Sequence, residues 1–309
     1  MTSAAKPDEA PGVVIAIPTC RRAQSLARLL DSLLPSAKAN AATIVVGDNG
    51  CEKTTEQTVA AFRRAWPATI YLAVPERGLS ANRNAILSAC LNTVPAPRWI
   101  ATVDDDIEVP RDWLSALLAA AERYGASAVG APCNARHGAE PNAWVRNSMM
   151  LNRSRGGSGP CPRFGGIGNA LIRADLLTGL APPYFDPEFD FSGGEDYEFF
   201  RRLEQAGARF AWCEEAASVE HVAPDSFARK AIISRYFTTG AYVGRIDRRY
   251  EGYAATFGKY IVALCKSAAR LALSVVVLNR DQFVRGLCNL VYAAGGLAGL
   301  AGLRHERYR

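Results

Sequence analysis

The chain has 309 residues, 49% hydrophobic and 21% charged, which excludes a disordered protein and leaves room for one large domain with an appendage, or for two domains. Its net charge of +6 is lopsided: residues 1–225 hold 22 Lys+Arg against 26 Asp+Glu, and residues 226–309 hold 14 against 4. The tail alone is therefore expected to touch an anionic surface, either a membrane leaflet or nucleic acid.

The eight cysteines are scattered with no Cys-x-x-Cys pair, which argues against a zinc site and against a secreted disulfide framework. Residues 1–12 are polar and rich in Pro and Ala, and the apolar run Val13–Ile17 is too short for a secretory core, so a cytosolic location is expected.

Val13–Thr19 opens the folded part as a β-branched run ended by Pro18, the pattern of a buried parallel strand. Leu26, Leu29, Leu30, Leu33 and Leu34 follow at helical spacing up to Pro35. Thr43–Asp48 is a second strand, with a helix through Val59 and Phe62. Thr69–Val74 is a third, after which Ser80 is placed to cap a helix with Ala81, Ala85, Ile86 and Ala89 on one face. The fourth strand is Ile100–Val103, followed by a helix from near Pro110 that carries Trp113, Leu114, Leu117 and Leu118. Strand then helix, four times over, predicts an open parallel sheet flanked by helices.

In such sheets ligands bind at the carboxyl ends of the strands. That rim gathers Pro18–Arg22, Asp48-Asn49, Arg77–Asn84 and the three consecutive acids Asp104-Asp105-Asp106. Adjacent carboxylates repel one another, so this fold needs positive charge there. A divalent cation answers the need, since hard cations bridge carboxylates to substrate phosphates; the plainer alternative is a solvated acidic turn. Arginines beside carboxylates suit a nucleoside diphosphate with its metal. No Gly-x-Gly-x-x-Gly or Gly-x-x-x-x-Gly-Lys follows the first strand, which removes support for dinucleotide and P-loop sites.

Ser127–Pro132 is a candidate fifth strand, and Arg136–Pro162 is expected to be a long loop over the site. Phe164–Asn169 has glycines that would let backbone approach a ligand. In Phe191–Leu203 the glycines or Ser192 start a helix whose first turn holds Glu195 and Asp196. Those acids either stabilise the helix end or project into a cleft. Val219-Glu-His221 follows the apolar stretch Arg209–Cys213, read as a strand; a lone histidine is more often structural than a ligand.

Together these stretches resemble a family 2 glycosyltransferase of the GT-A fold, of the bacterial exopolysaccharide or cell-surface glycan type, over roughly residues 12–225. Ile17-Pro-Thr19 resembles the family's opening strand and nucleotide loop. Val45-Val-Gly-Asp48 stands where the family has Val-Val-Asp-Asp, leaving Asp48 alone to contact the base. Gly78–Asn84 resembles Gly-x-x-x-Ala-Arg-Asn with Asn82 in place of Ala, Asp104–Asp106 the Asp-x-Asp motif, Gly168-Asn169 the acceptor-side loop, and Glu195-Asp196 the catalytic Glu-Asp pair.

The resemblance implies an α/β fold with a mostly parallel central sheet in residues 1–225, plus a helical region in residues 226–309. It implies inverting transfer from a nucleotide sugar, UDP-hexose by family habit, to a glycan or lipid-linked saccharide hydroxyl. Mg2+ or Mn2+ on Asp106, with His221, would stabilise the leaving diphosphate. Pro18, Thr19, Arg22, Asp48, Arg83, Asp104 and Asp105 would bind the donor, with Gly168 and Asn169 on the acceptor side. Asp196 would be the base and Glu195 would position the acceptor.

The tail alternates basic residues with apolar helical stretches, including Leu264–Leu278. Gly286–Leu303 runs 18 residues without a charge but contains five glycines, marginal for a spanning helix. Basic amphipathic helices on the inner leaflet are expected, against a helical subdomain packed on the core. Rival functions fare worse. A nucleotidyltransferase should have a Gly-rich, Lys-containing loop after its first strand, and Ile17–Arg22 has neither residue. A nucleic-acid binder should interleave aromatic and basic residues, and a two-carboxylate glycosidase has no need of three acids beside arginines. A non-catalytic nucleotide-sugar-binding protein is the remaining alternative.

Overall fold

A computed structural model describes residues 12–136, 140–151, 153–190 and 192–303. The leader expectation for residues 1–11, part of the loop expected at 136–162, and Phe191 lie outside these residues. In chain order the elements are β1 (Val13–Thr19), α1 (Ala23–Ala39), β2 (Thr43–Asp48), α2 (Lys53–Phe62), β3 (Thr69–Ala73), α3 (Leu79–Leu91) and β4 (Trp99–Val103). Then come β5 (Ile107–Glu108), α4 (Trp113–Arg123), β6 (Ala128–Gly130), β7 (Cys133–Ala135), α5 (Ala143–Arg146), β8 (Gly159–Pro160), β9 (Asn169–Arg173) and α6 (Ala174–Thr178). The chain continues with α7 (Glu195–Gln205), β10 (Phe210–Trp212), β11 (Ser218–Glu220), α8 (Arg229–Glu251), α9 (Tyr253–Val276) and α10 (Arg280–Leu300).

By packing, the chain divides into two units. One comprises residues 1–132, 154–184 and 202–218; the other comprises 133–153, 185–201 and 219–309. The first is built on an eight-stranded sheet in the order β3-β2-β1-β4-β9-β6-β10-β8. The four strands expected from the sequence pair in parallel, and Thr19 stands level with Asp48 at their carboxyl ends. Beyond β4 the sheet is mixed, because β9 runs antiparallel to both β4 and β6, and β8 antiparallel to β10. Ile15, Ile17, Val45, Val46 and Ile100 are buried, as continuous β-branched runs require when both sheet faces are covered; each such side chain contributes roughly 1.5–3 kcal/mol on burial.

Three helix boundaries differ from expectation. Pro35 lies inside α1, which continues to Ala39. The missing backbone bond is offset by tertiary contacts of the last turn, where Ala37 is buried and Ser36 Oγ accepts from the Leu114 amide at 2.9 Å. The cap position of α3 is Gly78, with φ 132°, and Ser80 is buried inside the helix. The helix after the acids starts at Trp113. The stretch expected to be a loop from 136 to 162 contains α5 and β8.

The second unit holds α8, α9 and α10, the N-terminal part of α7, α5 and β7. In it Arg146 pairs with Asp281 at 2.8 Å, and Tyr236 donates to the Asn147 carbonyl at 2.7 Å.

Candidate functional site

Strand β4 ends directly in Asp104, Asp105 and Asp106, and each acid meets a donor carried by a different element. Thr19, the last residue of β1, donates to Asp105 Oδ2 at 2.7 Å. Arg22, just ahead of α1, reaches Asp105 Oδ1 at 3.1 Å and Asp106 Oδ2 at 2.9 Å. Arg83, buried on α3, reaches Asp104 Oδ1 at 3.4 Å. Among the described residues two guanidiniums thus face three carboxylates, which leaves the acids in excess.

Burial and the crowding of like charges both act on the titration of these acids. Burial, with Asp106 and Asp104 adding to it and Thr19 and Arg22 opposing it, pushes the Asp105 carboxyl up to about 6. Asp106 is raised as well, by burial first and then by Asp104. A cation near Asp106 would relieve both.

The next strand end is organised differently. Asp48, expected to contact a base, is 0% exposed. Its Oδ1 accepts from the Gly50 amide at 2.8 Å, and its Oδ2 from the Glu52 amide at 3.0 Å and the Tyr71 hydroxyl at 3.0 Å. It therefore shapes the loop after β2, as Asp does in turns. Asn49 fixes the neighbouring loop, donating to the Val74 carbonyl at 2.9 Å and accepting from the Gly78 amide at 3.2 Å.

The two departures from the family pattern, Gly47 and Asn82, lie against each other. Asn82 Nδ2 donates to the Gly47 carbonyl at 3.0 Å, and a Cβ on Gly47 would collide with Asn82 and Ile86. The larger residue on α3 fills the space that the smaller residue on β2 leaves.

Gly168 and Asn169, expected on the acceptor side, are committed to the framework. A Cβ on Gly168 would strike the Asp104 carboxylate, so glycine there lets Asp104 seat. Asn169 is buried, with Oδ1 accepting from Trp113 Nε1 at 2.7 Å. Its Nδ2 donates to the carbonyls of Pro132 at 2.9 Å and Ala216 at 3.1 Å and to Ser218 Oγ at 3.1 Å. Its amide ties Trp113, Pro132, Ala216 and Ser218 together, which gives Asn169 a structural role.

The remaining candidates belong to the second unit. Gly193 and Gly194 lead into α7 with φ of 74° and 100°, values that favour glycine, and a Cβ on Gly194 would meet Tyr242 and Ile246 of α8. Glu195 is buried in the first turn and Asp196 is half-buried beside it, where the helix dipole favours negative charge. The turns behind them are fastened to α8. Tyr197 donates to Asp247 at 2.9 Å, Tyr250 donates to Glu198 at 2.6 Å, and Arg201 pairs with Glu251 at 2.9 Å. Ahead of them Arg245 donates to Ser192 Oγ at 2.8 Å. None of these anchors was legible beforehand, since partners some fifty positions apart leave no local signal. His221 follows β11 and is half-buried; nearby, Arg153 pairs with Glu220 at 2.8 Å.

The expected residues thus form two groups. Pro18, Thr19, Arg22, Arg83 and the three acids come together in the first unit, while Glu195, Asp196 and His221 belong to the second. Among the described residues, no three His, Cys, Asp or Glu side chains are gathered into a metal cage. Mg2+ and Mn2+ on a diphosphate need no such cage, because one or two carboxylates and the phosphates suffice. The hard oxygens of Asp106, beside an uncompensated charge, fit that demand.

A family model described as Glycosyl transferase family 2 matches residues 14–177. Succinoglycan biosynthesis protein ExoM of Rhizobium meliloti (strain 1021) is 29% identical over 311 residues, covering 98% of this chain and 97% of ExoM. Mannosyltransferase PcManGT from Pyrobaculum calidifontis, solved in complex with GDP-Man and Mn2+, matches with a TM-score of 0.61 at 16% identity, over 95% of this chain and 89% of its own. S. aureus TarS 1-349 in complex with UDP matches with a TM-score of 0.52 at 15% identity, over 94% and 92%. At these identities the structural likeness concerns the fold.

Two substitutions test the framework. Asn169→Ala leaves Trp113 Nε1 without its acceptor, worth roughly 1–3 kcal/mol, and strips the Pro132 and Ala216 carbonyls of one donor each, leaving them the Ser218 amide and hydroxyl. Thermal melts should show a large loss of stability, whereas the acceptor KM of the folded enzyme stays near wild type. Gly47→Ala should cost about 1–3 kcal/mol by overpacking, and adding Asn82→Ala should restore part of the melting temperature.

Proposed function

Because this chain belongs to glycosyl transferase family 2 and is a glycosyltransferase using nucleotide-sugar donors, we propose that it moves a hexosyl group, from UDP-hexose in the first instance, to a hydroxyl of a glycan or lipid-linked saccharide during polysaccharide assembly, with inversion at the anomeric carbon. The end-to-end match to ExoM, a protein named for succinoglycan biosynthesis, supports the polysaccharide context. The observation that carries the donor assignment is the unbalanced acid triplet at the end of β4, with Thr19, Arg22 and Arg83 around it.

Asp106 would hold Mg2+ or Mn2+. When bound, the metal supplies Lewis-acid stabilisation of the departing diphosphate. Arg22 is the residue best placed to follow the phosphates, because it already bridges Asp105 and Asp106 and a cation arriving there competes with it for Asp106. Thr19 and Pro18 close the end of β1 beside the diphosphate. Arg83 and Asp104 take the nucleoside end, and Asp48 acts there through the loop it shapes.

On the acceptor side, Glu195 orients the incoming hydroxyl and Asp196 removes its proton. The oxygen–carbon bond forms at the anomeric centre as the carbon–oxygen bond to the diphosphate breaks, and the proton ends on the Asp196 carboxylate. One displacement without a protein nucleophile inverts the centre. The site would work on the cytoplasmic side, with the basic tail on the inner leaflet.

Asp196→Asn tests the assignment. Loss of a general base costs about 10²–10⁴-fold, so kcat should fall at least a hundredfold while calorimetry finds donor affinity nearly intact. Near-normal turnover in this variant would remove Asp196 from the role.

A further inference from the structure

Helix α10 is the one described helix long and apolar enough to cross a membrane, yet its contacts are those of a core helix. A Cβ at Gly295 would strike the backbone of Phe237, one at Gly299 the backbone of Ala241, and one at Gly296 the ring of Tyr260. Small residues here bring α8 and α9 against α10 at backbone distance, so α10 is an interior element of this unit.

Helix α9 is built inside out. The side chains it turns inward are Thr256, Tyr260, Ser267 and Ser274, while Phe257, Ile261, Val262, Leu273 and Val275 face outward and are exposed. The apolar face runs on into the turn before α10, where Val276 is 79% and Leu278 90% exposed. Leu278 also has φ 50°, a conformation L side chains rarely adopt, so the turn holds its apolar tip outward against backbone preference.

Charge decides what covers this face. From Tyr253 to Val276 there is no Asp or Glu, and the cations are Lys259, Lys266 and Arg270. Lys259 is engaged with Asp247, whereas Lys266 and Arg270 are exposed. Two copies of the face would set cation against cation. An aliphatic surface edged by free cations and lacking acids instead matches acyl chains beneath anionic headgroups.

We propose that α9 lies in the interfacial layer of an anionic phospholipid bilayer, with Val275–Leu278 as its deepest point, Lys266 and Arg270 at the level of the phosphates, and α10 shielded from lipid. This goes beyond a generally basic tail: it assigns one helix face and one turn, and it excludes from the role the one described helix long and apolar enough to span a membrane.

The test uses the full-length protein with vesicles of phosphatidylcholine alone or mixed with phosphatidylglycerol. Wild type should co-sediment with the anionic vesicles, less so at high salt, and weakly with phosphatidylcholine. V276E/L278E should lower the binding constant about tenfold or more, and K266Q/R270Q should remove the preference for anionic lipid. Both variants should keep the wild-type melting temperature and donor affinity, which separates lost docking from lost folding. A wild type that stays in the supernatant with anionic vesicles would overturn the proposal, as would V276E/L278E binding like wild type. A stable dimer in light scattering that V276E/L278E dissolves would also overturn it, giving the face to a second copy.

Discussion

Three carboxylates in succession at the end of a buried strand are the constraint around which the first unit is arranged. Their repulsion is answered piecemeal, by a hydroxyl from β1, a guanidinium ahead of α1 and another from α3. These donors can reach the acids only because the strands end on one rim, with Thr19 level with Asp48 and Pro18 with Gly47. The carboxylates outnumber these guanidiniums among the described residues, and burial, joined by the repulsion of the neighbouring acids, raises the titration of Asp105 and Asp106. A site left wanting positive charge is suited to a metal diphosphate, whose cation satisfies the protein and whose phosphates satisfy the arginines.

The second unit solves a different problem. A half-buried Asp in the first turn of a helix is only as well placed as that helix. Here the first turns of the helix are tied to α8 through Tyr197–Asp247, Glu198–Tyr250 and Arg201–Glu251. The C-terminal helices therefore supply the platform for Glu195 and Asp196 as well as an outward apolar surface. A chain cut after residue 225 would lose both.

The first half of the fold was legible because its strands are continuous β-branched runs that stop at polar clusters, a pattern few other structures produce. The second half was legible only in part. Ser127–Pro132 announced β6 and the Gly-Gly-Glu-Asp stretch the start of α7, but β8 and β10 have two or three residues each and find partners across large separations, and nothing local announces that β9 runs antiparallel. Pro35 and Ser80 misled for a related reason: both carry strong local preferences that tertiary packing overrides. At the site, the acids and arginines were identifiable from charge crowding alone. Asn169 looked like a ligand because Gly-Asn in a glycine-rich stretch is what a binding loop contains; only the structure shows its amide divided among Trp113, Pro132, Ala216 and Ser218. In the tail, apolarity was visible but its direction was not, and direction separates the internal α10 from the outward α9.

We propose that the acids Asp104–Asp106 hold a cation together with a diphosphate. Paramagnetic resonance of Mn2+ titrated with the protein, with and without UDP, tests this. Wild type should immobilise Mn2+ strongly only when UDP is present, and Asp106→Asn should lose this while still melting as a folded protein. UDP binding that is indifferent to Mn2+ in wild type, or Mn2+ held equally well by Asp106→Asn, would contradict it.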